Sequence, residues 1–306
     1  MPTVQELIRI GTDRLTASGS ESPRLDAELL LARILRTDRT SFAAHPETVV
    51  GDAAAAVYEG DLARRELGEP IAYIRGFREF HGLALATDPR ALIPRPETEQ
   101  VVDIVESEVV SRLLAAPRPP GTRPILIADV GTGGGTIAVA LAVALRKRRM
   151  LDEIRILATD IAPEAIQLAR ENAVGHGVAD RIEFAIADLL PIDGHLIDVV
   201  AANLPYIASE AIDGLSVALT FEPRVALDGG PDGLDVVRAL LERLPRVLRA
   251  DGVAVLEIGA DQGDLVLGEV ASRMPDWTRE LLPDLAGLTR IVRLERQERP
   301  RPETPA

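Results

Sequence analysis

The sequence predicts an α/β protein: a mostly parallel sheet covered by helices on both faces, preceded by a small helical domain and a β-hairpin linker. Three observations carry this. From residue 124 on, apolar runs that read as buried strands alternate with helical patterns, which is the signature of βαβ units. The first of those strands closes in a glycine-rich turn, "DVGTGGGT", that opens a helix. The first seventy residues hold no such strands and are rich in Ala, Leu and Arg.

The elements follow in order. Residues 1–70 read as a small helical bundle. In "SPRLDAELLLARILR", Ser22 is a candidate N-cap and Pro23 suits the first helical position, with Leu25, Leu29 and Ile34 near helical spacing. "DAAAAVYEGDLARREL" is a second helix, despite Gly60. Over 71–94 the texture changes to β-formers punctuated by Gly76, Gly82 and Asp88-Pro89, which predicts a hairpin linker. The α/β domain is expected over 95–296. A helix starts in "PRPETEQVVDIVESEVVSRLLAA", and "PRPPGTRP" at 117–124 breaks it. Strands are predicted at "ILIADVG", "IRILATD", "RIEFAIAD", "LIDVVAAN", "GVAVLEIG" and "TRIVRLER". The polar, proline-rich tail 297–306 is expected to be disordered.

Composition narrows the function classes. The 306 residues carry a formal net charge of −14, and all basic residues but Lys147 are arginines. An acidic chain repels phosphate backbones, so direct nucleic-acid binding is not expected. The basic run "RKRR" at 146–149 falls where a helix should end and complements its dipole there. Without cysteine there is no disulfide, thiolate metal site or thiol nucleophile. The four histidines (His45, His81, His176, His195) have no metal-binding spacing, so no metal is expected. The N-terminus does not read as a signal peptide, and no apolar run reaches the roughly 18 residues of a membrane span. These features predict a cytoplasmic protein.

The glycine loop, Gly131 to Gly135 with Thr132, lets the backbone turn tightly and approach a ligand. It departs from the dinucleotide pattern because Thr136 stands at the third glycine position, and it lacks the lysine of a phosphate-binding loop. It fits the Asp-x-Gly-x-Gly-x-Gly loop of S-adenosylmethionine (SAM) methyltransferases; the plainer reading is a structural strand–helix turn. Asp160 ends the next strand, where an acid can accept from both ribose hydroxyls of a nucleoside or cap a helix. Asp188 ends the third, where adenine contacts are expected. At the ends of successive strands these groups outline one crevice.

"NLPYI" ends the fourth strand beside the same crevice. The Asn203 carbonyl can accept one N–H of an amide or amino group. Leu204, held extended by Pro205, offers its backbone carbonyl to the second, and Tyr206 offers an aromatic face. A plain strand-ending turn is the alternative.

With "LDAELLLARIL", "GEPIAYIRGFREFHGL", "LIPRPETE", "DVGTGGGTIAVAL", "NLPYI", "FEPRVALDGGPDGL" and "LEIGADQG" in hand, the chain resembles the HemK/PrmC family of protein-(glutamine-N5) methyltransferases, which modify peptide chain release factors. The resemblance runs from 22 to about 295. It implies a Rossmann-like SAM-dependent domain, a helical domain that grips the release factor, and a hairpin between them. It implies that Gly131, Thr132, Gly133, Gly134, Gly135, Asp160 and Asp188-Leu189, with Asn203 beside them, hold SAM. It further implies that Asn203, Leu204, Pro205 and Tyr206 hold the glutamine of a Gly-Gly-Gln tripeptide.

Two residues depart from the family pattern. Leu204 replaces the first proline of Asn-Pro-Pro-Tyr, which keeps the carbonyl but no longer stiffens Asn203. Leu189 stands where some members carry an aromatic residue. Asn-Leu-Pro-Tyr is also similar to the motif of RNA adenine-N6 methyltransferases, which present an unstacked adenine to the same clamp. A methyltransferase-like scaffold without turnover is a third possibility.

Overall fold

The computed structural model describes residues 1–115, 119, 121–191 and 196–296. The expected disordered tail, His195 and part of the proline-rich break at 117–124 lie outside them. The chain divides into two units. The first is Met1–Arg78 with Thr87–Pro89 and Leu215–Glu222; the second is Glu79–Ala86, Arg90–Gly214 and the chain from Pro223 onward.

In the first unit, helices α1 (Val4–Ala17), α2 (Pro23–Leu35), α3 (Thr40–Ala44), α4 (Asp52–Glu66) and α5 (Ile71–Arg75) enclose Leu7, Leu15, Leu30, Leu31, Tyr58 and Leu62. Thr3 and Glu6 cap α1 reciprocally, each side chain accepting from the other's backbone N–H. Ser22 is the N-cap residue of α2, but its hydroxyl donates to Asp26 at 2.9 Å instead of accepting from the backbone. The buried face of α2 differs from the predicted one. Ala27, Leu30 and Leu31 are buried, whereas Leu25 is exposed. Three consecutive leucines leave the periodicity ambiguous; buried Asp26, paired with Arg65 at 2.8 Å, belongs to the inward face. Residues Ile71–Arg75 form a helical turn where the hairpin was expected to begin. Strands β1 (Phe77–Phe80) and β2 (Leu83–Ala86) make that hairpin, and the division between the units falls within β1.

The second unit holds α6 (Thr98–Leu114), then β3 (Ile125–Val130), α7 (Thr136–Lys147), β4 (Ile154–Asp160), α8 (Pro163–Gly175), β5 (Ile182–Ile186) and β6 (Ile197–Asn203). A short α9 (Ser209–Ile212) is followed by α10 (Asp235–Val247), β7 (Leu248–Glu257), α11 (Gly263–Arg273), β8 (Trp277–Pro283) and β9 (Thr289–Arg296). The seven strands lie in the order β5-β4-β3-β6-β7-β9-β8. The first five run parallel; β9 is antiparallel to both β7 and β8.

Both faces of the sheet are covered. Apolar side chains of α6, α7 and α8 pack on one, those of α10 and α11 on the other. The basic run ends α7, where Arg146 donates to the carbonyl oxygens of His176 and Gly177 and Arg148 pairs with Glu106. Strand β8 escaped the sequence reading because only Trp277 of it is fully buried; an edge strand carrying Arg279 and Glu280 shows no two-residue alternation. Strand order reverses between β3 and β6. In open parallel sheets the crevice at the carboxyl ends of such a pair is where ligands bind.

Candidate functional site

A cavity of about 500 Å³ opens at that reversal, lined by Gly131–Gly134, Asp160, Ala187–Leu189, Asn203–Pro205 and the segment from Arg90 to Arg95 with Thr98. That volume suits a nucleoside-sized ligand. Every lining residue belongs to the second unit.

The glycine loop forms its floor. Gly131 and Gly133 have φ of +69° and +56°, in the left-handed region open to glycine. A Cβ on Gly131 would also meet the Leu204 side chain at 3.0 Å. Asp129 holds the loop from below, accepting from the Thr132 hydroxyl at 2.6 Å and the Ala138 N–H at 2.9 Å. Its other oxygen, Oδ1, is buried without a partner among the described residues. Burial therefore pushes the Asp129 carboxyl up to about 6, against those two hydrogen bonds.

Asp160 ends β4 as expected, but it is not the N-cap of α8, which is Ala162. Its carboxylate accepts from the Gly133 N–H and the Ala162 N–H, both at 2.9 Å. Burial raises this carboxyl, and these N–H groups with that of Ile161 pull the other way. Asp188 and Leu189 lie two and three residues past the end of β5. The Asp188 carboxylate is turned to Arg243 at 2.6 Å, and Arg243 also donates to the backbone carbonyls of Asp188 and Leu190. Leu189 adopts φ +58° and lines the cavity with a buried side chain.

Asn203 ends β6 on the cavity wall. Its Nδ2 donates to Thr98 Oγ1 at 2.9 Å, and Thr98 Oγ1 donates to Glu257 Oε2 at 2.7 Å. With the NH2 end engaged there, Oδ1 is the end available to an incoming donor. Leu204 is buried with its side chain in the apolar core beneath the loop. Burial pushes Glu257 up to about 7, opposed first by the Thr98 hydroxyl.

Tyr206 differs from expectation: the cavity wall reaches Pro205 and does not include it. The chain turns away after Pro205 because Ile207 pairs with the loop at 227–229, its N–H donating to Leu227 and its carbonyl accepting from Gly229. Gln262 Nε2 donates to the Tyr206 carbonyl at 2.9 Å, and a side chain on Gly233 would collide with that oxygen. Burial raises the Tyr206 phenol, and the charge of Glu257 adds to the shift.

Thr98, Glu257 and Gln262 are not among the candidate residues that the sequence offers. Their stretches, "LIPRPETE" and "LEIGADQG", were conspicuous, and an acid closing an apolar strand was the available signal for Glu257.

Residues 6–76 match the family described as PrmC N-terminal domain, and residues 125–279 match a methyltransferase domain family. A release factor glutamine methyltransferase of Moorella thermoacetica is 38% identical over 297 residues, covering 97% of this chain and 99% of that protein. One of Nitratidesulfovibrio vulgaris is 35% identical over 294 residues, covering 95% and 94%. Among solved structures, the human METTL16 catalytic domain in complex with the MAT2A 3′UTR hairpin 6 superimposes with a TM-score of 0.54 at 16% identity, covering 78% of this chain and 82% of that one. That likeness is one of fold.

Proposed function

Because this chain belongs to the family of release factor glutamine methyltransferases, we propose that it transfers a methyl group from SAM to the side-chain amide nitrogen of the glutamine in the Gly-Gly-Gln motif of peptide chain release factors. The helical N-terminal unit then serves to grip the release factor, and the enzyme works where translation does, in the cytoplasm. Among the described residues no helix is long and apolar enough to cross a membrane.

The residues present suit SAM. Gly131 and Gly133 both have the left-handed backbone that glycine adopts freely, so the loop can pass close under a ligand. On this reading Asp160 accepts from the ribose and Ala187–Leu189 contact the base; all of them line the cavity. When bound, SAM supplies an electrophilic sulfonium methyl. The chain's own part is to bind and orient the amide. Asn203 Oδ1 and the Leu204 carbonyl each accept one N–H of the glutamine NH2, holding its nitrogen toward the cofactor. An amide nitrogen is a poor nucleophile because its lone pair is delocalised. Fixed alignment and two carbonyl dipoles supply what it lacks.

The observation that carries this reading is the Asn203 amide on the cavity wall, whose NH2 end donates to Thr98 and so leaves Oδ1 to accept from an incoming donor. The test offers labelled SAM to a release factor and to ribosomal RNA side by side. One methyl on the Gly-Gly-Gln glutamine is expected, lost when that glutamine is replaced by Ala. Label in RNA adenines with the release factor untouched overturns it.

A further inference from the structure

The two ends of an asparagine amide, Oδ1 and Nδ2, differ in hydrogen-bonding role but hardly in shape, and a half-turn exchanges them. The reading above requires Oδ1 toward the cavity. An NH2 there would oppose the NH2 of the substrate.

The arrangement that decides between them lies behind the cavity wall. Asn203 and Glu257 are register partners at the carboxyl ends of adjacent parallel strands. Thr98, the first residue of α6, reaches between them, and Thr98 and Glu257 are each only 2% exposed. A hydroxyl carries one proton, and an ionised carboxylate can only accept. Glu257 therefore takes the Thr98 proton, at 2.7 Å, and leaves a lone pair toward Asn203. That lone pair admits the NH2 end alone, at 2.9 Å.

We propose that Thr98 and Glu257 are positioning residues that lock the Asn203 amide with its carbonyl toward the cavity, which makes the site selective for a substrate that presents an NH2 group. The inference rests on the methyl-transfer reading above and adds the origin of its selectivity.

A consequence follows from the burial of Glu257, which places its titration at about 7. The groups facing it are Arg95 and Glu97 before α6, Arg290 on β9 and the Tyr206 phenol after β6. Once protonated, Glu257 has a hydrogen of its own to give. Thr98 is then free to turn its proton toward Asn203, which admits the flipped amide. Turnover should fall as pH drops through the Glu257 titration.

The test uses the full chain, SAM and a release factor. Activity of the unaltered enzyme settles the parent reading first: no methylation of the release factor defeats that reading, whereas an active enzyme with indifferent variants defeats only this inference. Thr98→Val, which replaces the hydroxyl by a methyl, should lower kcat by roughly tenfold or more without changing the Kd for SAM, and Thr98→Ser should restore it. Glu257→Gln, with nothing to titrate, should lose the acid limb of the kcat profile. A Thr98→Val enzyme at full kcat, or an acid limb that persists unchanged in Glu257→Gln, overturns the proposal. If Thr98→Val does not fold, the limb in Glu257→Gln decides alone.

Discussion

The backbone N–H of Gly133 donates to the Asp160 carboxylate at 2.9 Å, and that carboxylate also accepts from Ala162, so the loop after β3 and the turn after β4 share one acid. A ligand held by Asp160 is thus held by a group that also sets the shape of the floor beneath it.

Asp160→Ala should therefore weaken SAM binding by about 1–3 kcal/mol, the cost of losing charge-assisted hydrogen bonds and freeing a loop N–H. Calorimetry with SAM and with S-adenosylhomocysteine measures it. Asp160→Asn should recover little, because an amide has one acceptor oxygen for two backbone donors and the ribose. Wild-type affinity in Asp160→Ala would remove Asp160 from the site.

Arg243 holds the segment that follows β5. It grips the Asp188 carboxylate at 2.6 Å and the backbone on either side of Leu189, whose φ of +58° costs a side-chain-bearing residue about 1–2 kcal/mol. Without the clasp the loop relaxes out of that conformation. Arg243→Ala should raise the Kd for SAM roughly tenfold while leaving kcat at saturating SAM near wild type. Arg243→Lys should recover only part, since an ammonium lacks the planar fork. A Kd that ignores both changes rules the clasp out.

What was legible in the sequence was what local chemistry determines. Glycines at Gly131 and Gly133, acids closing apolar strands at Asp160 and Asp188, and an amide at Asn203 each announce a strand end within a few residues, and the structure gathers them on one cavity. What was not legible depends on chain segments distant in sequence. Thr98, Asn203 and Glu257 meet only because α6 packs beside the β6–β7 pair. Tyr206 sits next to cavity-lining Pro205, yet the loop at 227–233 and Gln262 turn its backbone aside. The wrong face of α2 has the same cause: Leu29, Leu30 and Leu31 satisfy several helical registers, and the choice is made by partners on α4.

Asp129 offers a test of burial by pH. Its carboxyl is raised from 3.8 to about 6, so the folded state binds that proton more tightly than the unfolded chain. Stability from this group is therefore fully present below about 4 and falls as pH rises to about 6, by on the order of 2–3 kcal/mol. Asp129→Asn keeps an oxygen for Thr132 and Ala138 and removes the charge. In urea unfolding at pH 4.5 and 7.5, the variant should gain on wild type by that order between the two values. A gap between variant and wild type that does not change with pH would show that Asp129 titrates normally.

Leu204 separates two contributions of one residue. Its carbonyl is the proposed second acceptor for the glutamine NH2, and its side chain is buried against the glycine loop, 3.0 Å from where a Cβ on Gly131 would stand. Leu204→Pro keeps the carbonyl, stiffens Asn203 and removes most of that packing. It should cost about 1–3 kcal/mol of stability and weaken SAM binding through the loosened loop, yet hold kcat at saturating SAM within about threefold. Leu204→Gly loses the packing too, but it also frees the backbone that aims the carbonyl. It should therefore lower kcat about tenfold further than Leu204→Pro does, with a similar Kd for SAM. Equal kcat in the two variants would mean that the direction of this carbonyl does not matter to turnover, and that the amide is held by Asn203 alone.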